Sequence, residues 1–186
     1  SAQSNAQGQQ NSSASANPEM ALIQKILSVV SKVLMHNHDQ LAQPVTNAAE
    51  LPVGHAYQTQ FMQQPYVRFF SNLILSLLTG DTQTDETQCV TLILNSLQHL
   101  NPSRLPGFAF GWLELACHRV LLSKALKNRA LWPLYFRILS EALVFIDSAT
   151  RTGKVSNPML LFFKAFLKLM LILLHDFSEF LLTYHQ

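Results

Sequence analysis

FAFGWLELACHRVLLSKALK, residues 108–127, is the stretch that decides the fold. On a helical wheel Trp112, Leu115, Leu122 and Leu126 share one face, while Leu113, Ala116 and Val120 occupy another. A helix that is apolar on almost every side belongs in the middle of a domain, with other helices packed around it. Working outward, apolar residues recur at spacings of three and four from residue 18 to the end, and period-two alternation never lasts. The pattern therefore predicts an all-α domain of about six stacked antiparallel helices.

The first helix opens with Asn17-Pro18-Glu19: an N-cap, a proline at the first helical position and an acid in the first turn. Met20, Ile23, Leu27, Val30 and Leu34 form its inward stripe. His36 to about Tyr57, with Pro44, Pro52 and Gly54, reads as a long connection holding one short helical turn around 48–51. The second helix spans Pro65 to Leu78, with Arg68, Asn72 and Ser76 as its polar stripe, Phe69, Leu73, Leu77 and their neighbours facing inward, and Gly80-Asp81 ending it. Asp85 and Gln88 resemble a capping box for a third helix, whose inner face is Val90, Ile93, Leu94, Leu97 and Leu100. A turn cluster at 101–107 leads into the central helix. The fifth helix runs from Leu131 to Ile146, and the sixth from Asn157-Pro158 through Leu174, followed by a short helical tail at Ser178–Tyr184. The short links between the third, fourth and fifth helices favour antiparallel neighbours.

Composition sets the outer bounds. Of 186 residues 48% are hydrophobic and only 13% charged, for a net charge of +2. Ordinary soluble domains carry about 25% charged residues, so this chain is lean in charge and is not a disordered one. Cys89 and Cys117, two cysteines in a chain this long, read as buried reduced thiols rather than a disulfide framework. Residues 1–17 contain only Ser, Ala, Gln, Asn and Gly, which cannot offset their ordering entropy and read as a flexible low-complexity linker. They lack the basic and apolar regions of a signal peptide. The opening serine suggests a piece of something longer, with 18–186 as the helical domain. Charge divides unevenly: residues 1–100 carry −3 and residues 101–186 carry +5, dispersed rather than clustered.

Each candidate for chemistry has a plainer reading beside it. MLLFFKAFLKLMLILL, residues 159–174, is shorter than the ~20 residues a membrane span needs and is interrupted by Lys164 and Lys168, so it reads as a core helix with one wet edge formed by Lys164, Lys168 and His175, with a membrane-surface or partner-binding helix as the alternative. His36, His38 and Asp39, or His175 and Asp176, offer metal-ligand types. A histidine–aspartate phosphohydrolase built on His175 and Asp176 needs further ligands, and neither Asp147 nor Glu114 is selected by spacing. Glu114 and His118 sit at i,i+4, a spacing suited to acid–base work. With no nucleophile motif beside them they read as a buried hydrogen-bonded pair that fixes the helix's rotation, joined by Arg119. No phosphate-binding glycine loop can be assembled, and there is no G-x-S-x-G or H-E-x-x-H. Lys124, Lys127 and Arg129 are the one local basic cluster, and the helix dipole accounts for them, so no direct nucleic-acid contact is expected. Residues therefore point to no catalytic, cofactor or metal site. Aromatics gathered at 108–112 and 132–136 would anchor a partner peptide wherever they stay exposed.

At 63–70 (QQPYVRFF), 106–122 (PGFAFGWLELACHRVLL), 132–135 (WPLY) and 157–185 (NPMLLFFKAFLKLMLILLHDFSEFLLTYH) the chain resembles one family. It is similar to the C-terminal domain of the large scaffold subunit of the eukaryotic cytoplasmic mRNA deadenylase assembly, the NOT complex, over about residues 57–186. The resemblance implies HEAT-like stacked helices, no enzymatic activity and no cofactor. It also implies docking of a heterodimer of smaller NOT-box subunits, and in animals of short peptides from RNA-binding translational repressors. A cytoplasmic location, extending to the nucleus, follows as an expectation. In the family the YH block is followed by further helices, so 18–186 is expected to be the N-terminal part of a larger domain. No partner-binding residue is carried over from the resemblance.

Overall fold

The computed structural model describes residues 18–41, 61–80, 85–151 and 156–184. The linker expected at 1–17 and the helical turn expected at 48–51 lie outside them. Eight α-helices stand among the described residues: α1 Pro18–Leu41, α2 Gln64–Thr79, α3 Glu86–His99, α4 Ala109–Ala116, α5 Arg119–Lys127, α6 Trp132–Thr150, α7 Asn157–Asp176 and α8 Ser178–Thr183. The predicted all-α class holds. The number rises because the central helix is divided in two and the tail forms a helix of its own.

Caps and prolines start the helices where the sequence places them. Asp85 accepts a hydrogen bond from the Thr87 backbone N–H at 2.9 Å, and Ser156, one residue before the expected cap Asn157, accepts from the Met159 backbone N–H at 3.4 Å. Prolines lie in the first turn of α2, α6 and α7. The inner face of α3 is buried as predicted. In α2 the buried stripe is Val67, Phe70, Ile74 and Leu78, while Phe69 is exposed and Leu73 and Leu77 are half-buried. Arg68, Asn72 and Ser76 are exposed as predicted, and the buried side is centred on the neighbours of Phe69, Leu73 and Leu77, where the helix packs on α3 and on both halves of the central helix.

The expected connection after His36 is instead the last turn of α1. His38 belongs to the inward stripe Ile23, Leu27, Ser31, Leu34 and His38. Its Nε2 accepts the Gly107 backbone N–H at 3.1 Å, which fixes the tautomer with the proton on Nδ1, facing Asp39 Oδ1 at 3.4 Å. A polar residue that reads as loop is here a buried strut between α1 and the turn at Pro106–Phe108.

α4 and α5 form the centre. α4 lies against α2 and α7, and α5 against α2, α3 and α6. Gly111 allows the closest approach: a methyl group there would meet Phe108 Cε2 and Val67 Cγ2, each at 2.7 Å. Its N–H, one of the unpaired donors of the first turn of α4, is satisfied by Gln63 Oε1 at 2.8 Å. Trp112 Nε1 donates to the Leu97 carbonyl at 2.8 Å, joining α4 to α3. The break at Cys117–His118 is a tertiary effect. His118 is extended, with φ −59° and ψ 121°, and the Tyr135 hydroxyl from α6 donates to the Ala116 carbonyl at 3.0 Å.

Candidate docking surface

Among the described residues α7 carries more exposed large apolar side chains than any other helix. One stripe, Met159, Phe162, Phe166, Leu169 and Leu173, is buried. Phe162 meets the edges of Phe110 and Phe145 at centroid distances of 5.9 and 5.2 Å, which fastens α7 to α4 and α6. A second stripe, Leu160, Phe163, Leu167, Leu171 and Leu174, faces outward, with Leu171 64% exposed. Spacings of three and four keep these five side chains in one line along the helix. Lys164, Lys168 and His175 are exposed and form the expected wet edge, and beside them lies this leucine- and phenylalanine-rich stripe. At 20 residues α7 is also longer than its apolar run, and by length and composition alone it is long enough to cross a membrane. Its buried stripe packed on α4 and α6 makes it a border helix of the core.

The residues singled out for chemistry are not brought together. His175 Nδ1 and Asp176 Oδ1 lie 2.5 Å apart, both exposed at the end of α7. Asp147 is paired with Arg151 at 2.7 Å. Among the described residues no three His, Cys, Asp or Glu side chains gather in a way that would hold a metal. A phosphohydrolase centred on His175 and Asp176 has no partner ligands there.

The expected buried pair Glu114–His118 is corrected. The break at Cys117 turns His118 off the α4 register, and Glu114 is exposed. His118 Nδ1 is buried without a hydrogen-bond partner. Burial lowers the His118 pKa from 6.5, and the Glu114 carboxylate opposes that shift. Beside it, burial pushes the Cys117 thiol up to about 11 and, together with Cys117, holds the Tyr135 phenol well above 10.0. These shifts favour the neutral forms. Both cysteines are free thiols, as the sequence predicts; Cys89 is buried, as expected, and Cys117 is half-buried.

The basic cluster has local partners. Lys124 Nζ contacts Glu86 Oε2 at 2.5 Å, and Arg129 pairs with Glu179 while lying 5.4 Å above the Trp132 ring. The aromatics divide. Phe108, Trp112 and Tyr135 are fully buried, while Phe110 and Phe136 are partly exposed, Phe136 stacking on Tyr184 at 4.4 Å.

Sequence reasoning missed a second surface, the long groove between α1 and α3. Its walls are the positions between the buried stripes: Ala21, Gln24, Ser28 and Lys32 on α1, and Gln88, Thr91, Asn95 and His99 on α3. The readable signal was their repeat of about four, filled by short or polar residues, on two helices whose buried faces are apolar.

Stacked antiparallel helices with an exposed apolar stripe define an all-helical domain of the stacked-helix class. Residues 74–186 match the family described as CCR4-Not complex component, Not1, and the chain belongs to that family. It is 28% identical over 169 residues to general negative regulator of transcription subunit 1 of Schizosaccharomyces pombe, covering 88% of this chain and 7% of that protein. It is 25% identical over 181 residues to CCR4-NOT transcription complex subunit let-711 of Caenorhabditis elegans, covering 88% of this chain and 6% of that one. Its fold resembles the solved NOT1 superfamily homology domain from Chaetomium thermophilum, with a TM-score of 0.72, 26% identity, and coverage of 90% of this chain and 31% of that one. The chain thus spans less than a tenth of the length of these curated relatives.

Proposed function

We propose that this chain is a non-catalytic docking module from the C-terminal domain of the large scaffold subunit of a CCR4-Not complex. It recruits a heterodimer of NOT-box subunits, and short peptides of RNA-binding repressors, for mRNA deadenylation and translational repression in the cytoplasm and nucleus. The observation that carries the reading is the outward stripe of α7. Five large apolar side chains in line on one helix form a surface that water covers poorly and another protein covers well. Family membership supports the complex, and the motif resemblance supports the class of partner.

The test is co-purification of the full-length subunit with the NOT-box heterodimer, comparing wild type with Leu167→Glu/Leu171→Glu. Wild type should associate in the nanomolar range and the variant at least a hundredfold more weakly, with unchanged melting. Absence of association for the wild type would sink the partner reading.

A second reading rests on the 31% coverage of the Chaetomium thermophilum domain: α7 is covered by further helices of its own chain. In that case the double variant lowers the melting temperature of the full-length subunit and leaves heterodimer affinity intact.

A further inference from the structure

We infer that the cleft between α1 and α3 is a small-molecule site for one long-chain fatty carboxylate. The inference goes beyond the docking reading and does not depend on it.

Two cavities, of about 360 and 430 Å3, follow one another along these helices and share Gln24 and Leu92. Each falls within the roughly 300–1,000 Å3 of ordinary small-molecule sites, which are mostly apolar with a few placed polar groups. The first lies between residues 20–24 and 87–92, the second between 24–35 and 92–99, so together they make one trough with two unlike ends.

The first end suits hydrocarbon. Met20, Ala21 and Leu92 line it, and its threonines are engaged within the fold: Thr91 Oγ1 donates to the Thr87 carbonyl at 2.8 Å, and Thr87 Oγ1 accepts from Asn128 Nδ2 at 3.2 Å. Gln24 and Gln88 are exposed and stay solvated. The second end suits a small anion. Ser31, only 6% exposed, lines it with its hydroxyl buried and without a hydrogen-bond partner, whereas Ser96 on the opposite wall donates to the Leu92 carbonyl at 2.9 Å. Buried hydroxyls are nearly always paired, so this orphan marks where a ligand acceptor belongs.

Charge narrows the acceptor. Lys32 and His99 line the same cavity, and neither lining holds Asp or Glu. A single lysine supplies one full positive charge, which selects a singly charged head group over a phosphate dianion. A carboxylate is acceptor-only, so it takes the Ser31 O–H, the Lys32 ammonium and an imidazole N–H together. Length follows from geometry. Ala21 and Lys32 are eleven residues apart on α1, about 16 Å at the usual rise. An extended hydrocarbon advances about 1.25 Å per carbon, given the C–C bond length and the tetrahedral angle. The span therefore takes roughly 13 carbons beyond the carboxyl group, which describes myristate.

Isothermal titration of the 186-residue chain with myristate, kept below its micelle concentration, tests this. One molecule should bind per chain with micromolar affinity. Octanoate, too short to reach the apolar end, and methyl myristate, which has no charge, should each bind at least tenfold more weakly. Lys32→Gln and Ala21→Trp, both at exposed positions, should each weaken myristate binding tenfold or more. Ser31→Ala should lose several-fold in affinity with an unchanged or higher melting temperature. Circular dichroism checks that every variant is folded. Binding no tighter than about 100 µM, equal affinity for methyl myristate, or wild-type affinity in both Lys32→Gln and Ala21→Trp would overturn the proposal. So would loss of binding in Leu167→Glu/Leu171→Glu, which would put the fatty acid on the α7 stripe instead.

Discussion

Gly111→Ala sets two well-characterised effects against each other. Alanine inside a helix is favoured over glycine by about 1 kcal/mol. In α4, however, the new methyl would lie 2.7 Å from Phe108 Cε2 and 2.7 Å from Val67 Cγ2, and 3.1 Å from Gln63 Oε1. Neither hydrocarbon neighbour can swing away, since Phe108 is fully buried and Val67 nearly so. Overpacking of a tight core costs about 1–3 kcal/mol, and two contacts this short place the cost in the upper part of that range. Displacement of Gln63 also loosens its bond to the Gly111 N–H. The steric term wins, leaving a net loss of about 1–2 kcal/mol, or about 3–8 °C in melting temperature for a domain of this size. Thermal and urea unfolding of the 186-residue chain read the effect. Val67→Ala in the same background should recover part of it, with a coupling of about 1 kcal/mol between the two positions. A Gly111→Ala chain as stable as wild type would refute the reasoning, because α2 and α4 would then have room for a methyl group.

Three further outcomes follow from the interior. Tyr135→Phe removes the donor to the Ala116 carbonyl and should cost about 1–3 kcal/mol in urea unfolding; a loss below about 0.3 kcal/mol would show that this bond does not hold the α4–α5 break. His118 has its pKa lowered, so the unfolded chain binds more protons. Its contribution is complete above pH 6.5 and is lost as the pH falls through the folded-state value. His118→Gln should flatten that part of the stability profile, and Glu114→Gln should lower the His118 midpoint in NMR titration; a midpoint that rises would be incompatible with the assignment. With its thiol at about 11 against an ordinary 9.0, Cys117 in a Cys89→Ala background should react with iodoacetamide at pH 8 about a hundredfold more slowly than a free thiol. A rate near that of glutathione would mean that Cys117 is not buried as described.

What the sequence made legible was set by periodicity. The third helix reads correctly because its five inner residues are all large and aliphatic, so the pattern and the buried face coincide. The second gives the polar stripe and the general side, but of two adjacent phenylalanines only Phe70 is buried while Phe69 lies at the edge of the buried arc, a choice periodicity does not make. The end of the first helix is hidden by chemistry: His38 is polar by type and buried by virtue of a bond to Gly107, sixty-nine residues away. The break at Cys117–His118 is not marked by a proline or glycine and depends on a hydroxyl delivered by α6. At the surface, the length of the α7 apolar run was plain. How much of it faces outward depends on how α4 and α6 seat the helix, which no window of sequence contains.

The family motif and the proposed docking surface are carried by different residues. In PGFAFGWLEL, Gly107 and Gly111 permit close approach, Phe108 and Trp112 fill the centre, and Trp112 ties α4 to α3. The most specific part of the resemblance is thus a statement about how the centre is packed, and substitutions there test folding before they test binding. The outward stripe of α7 is leucine and phenylalanine, the commonest apolar chemistry, and carries little family signature of its own. The low charge content belongs with this second set. A chain with 13% charged residues that also leaves Leu22, Val29 and Val33 on α1, Leu143 and Val144 on α6, and the α7 stripe exposed has not spent its apolar excess on its own core. Lone exposed hydrophobes are ordinary on soluble domains. Five in register along one helix are not, and their removal from water by another surface would be worth several kcal/mol at about 25 cal/mol per Å2. On the proposed docking reading the low charge content accompanies a surface for protein contact, and the α7 double variant tests it.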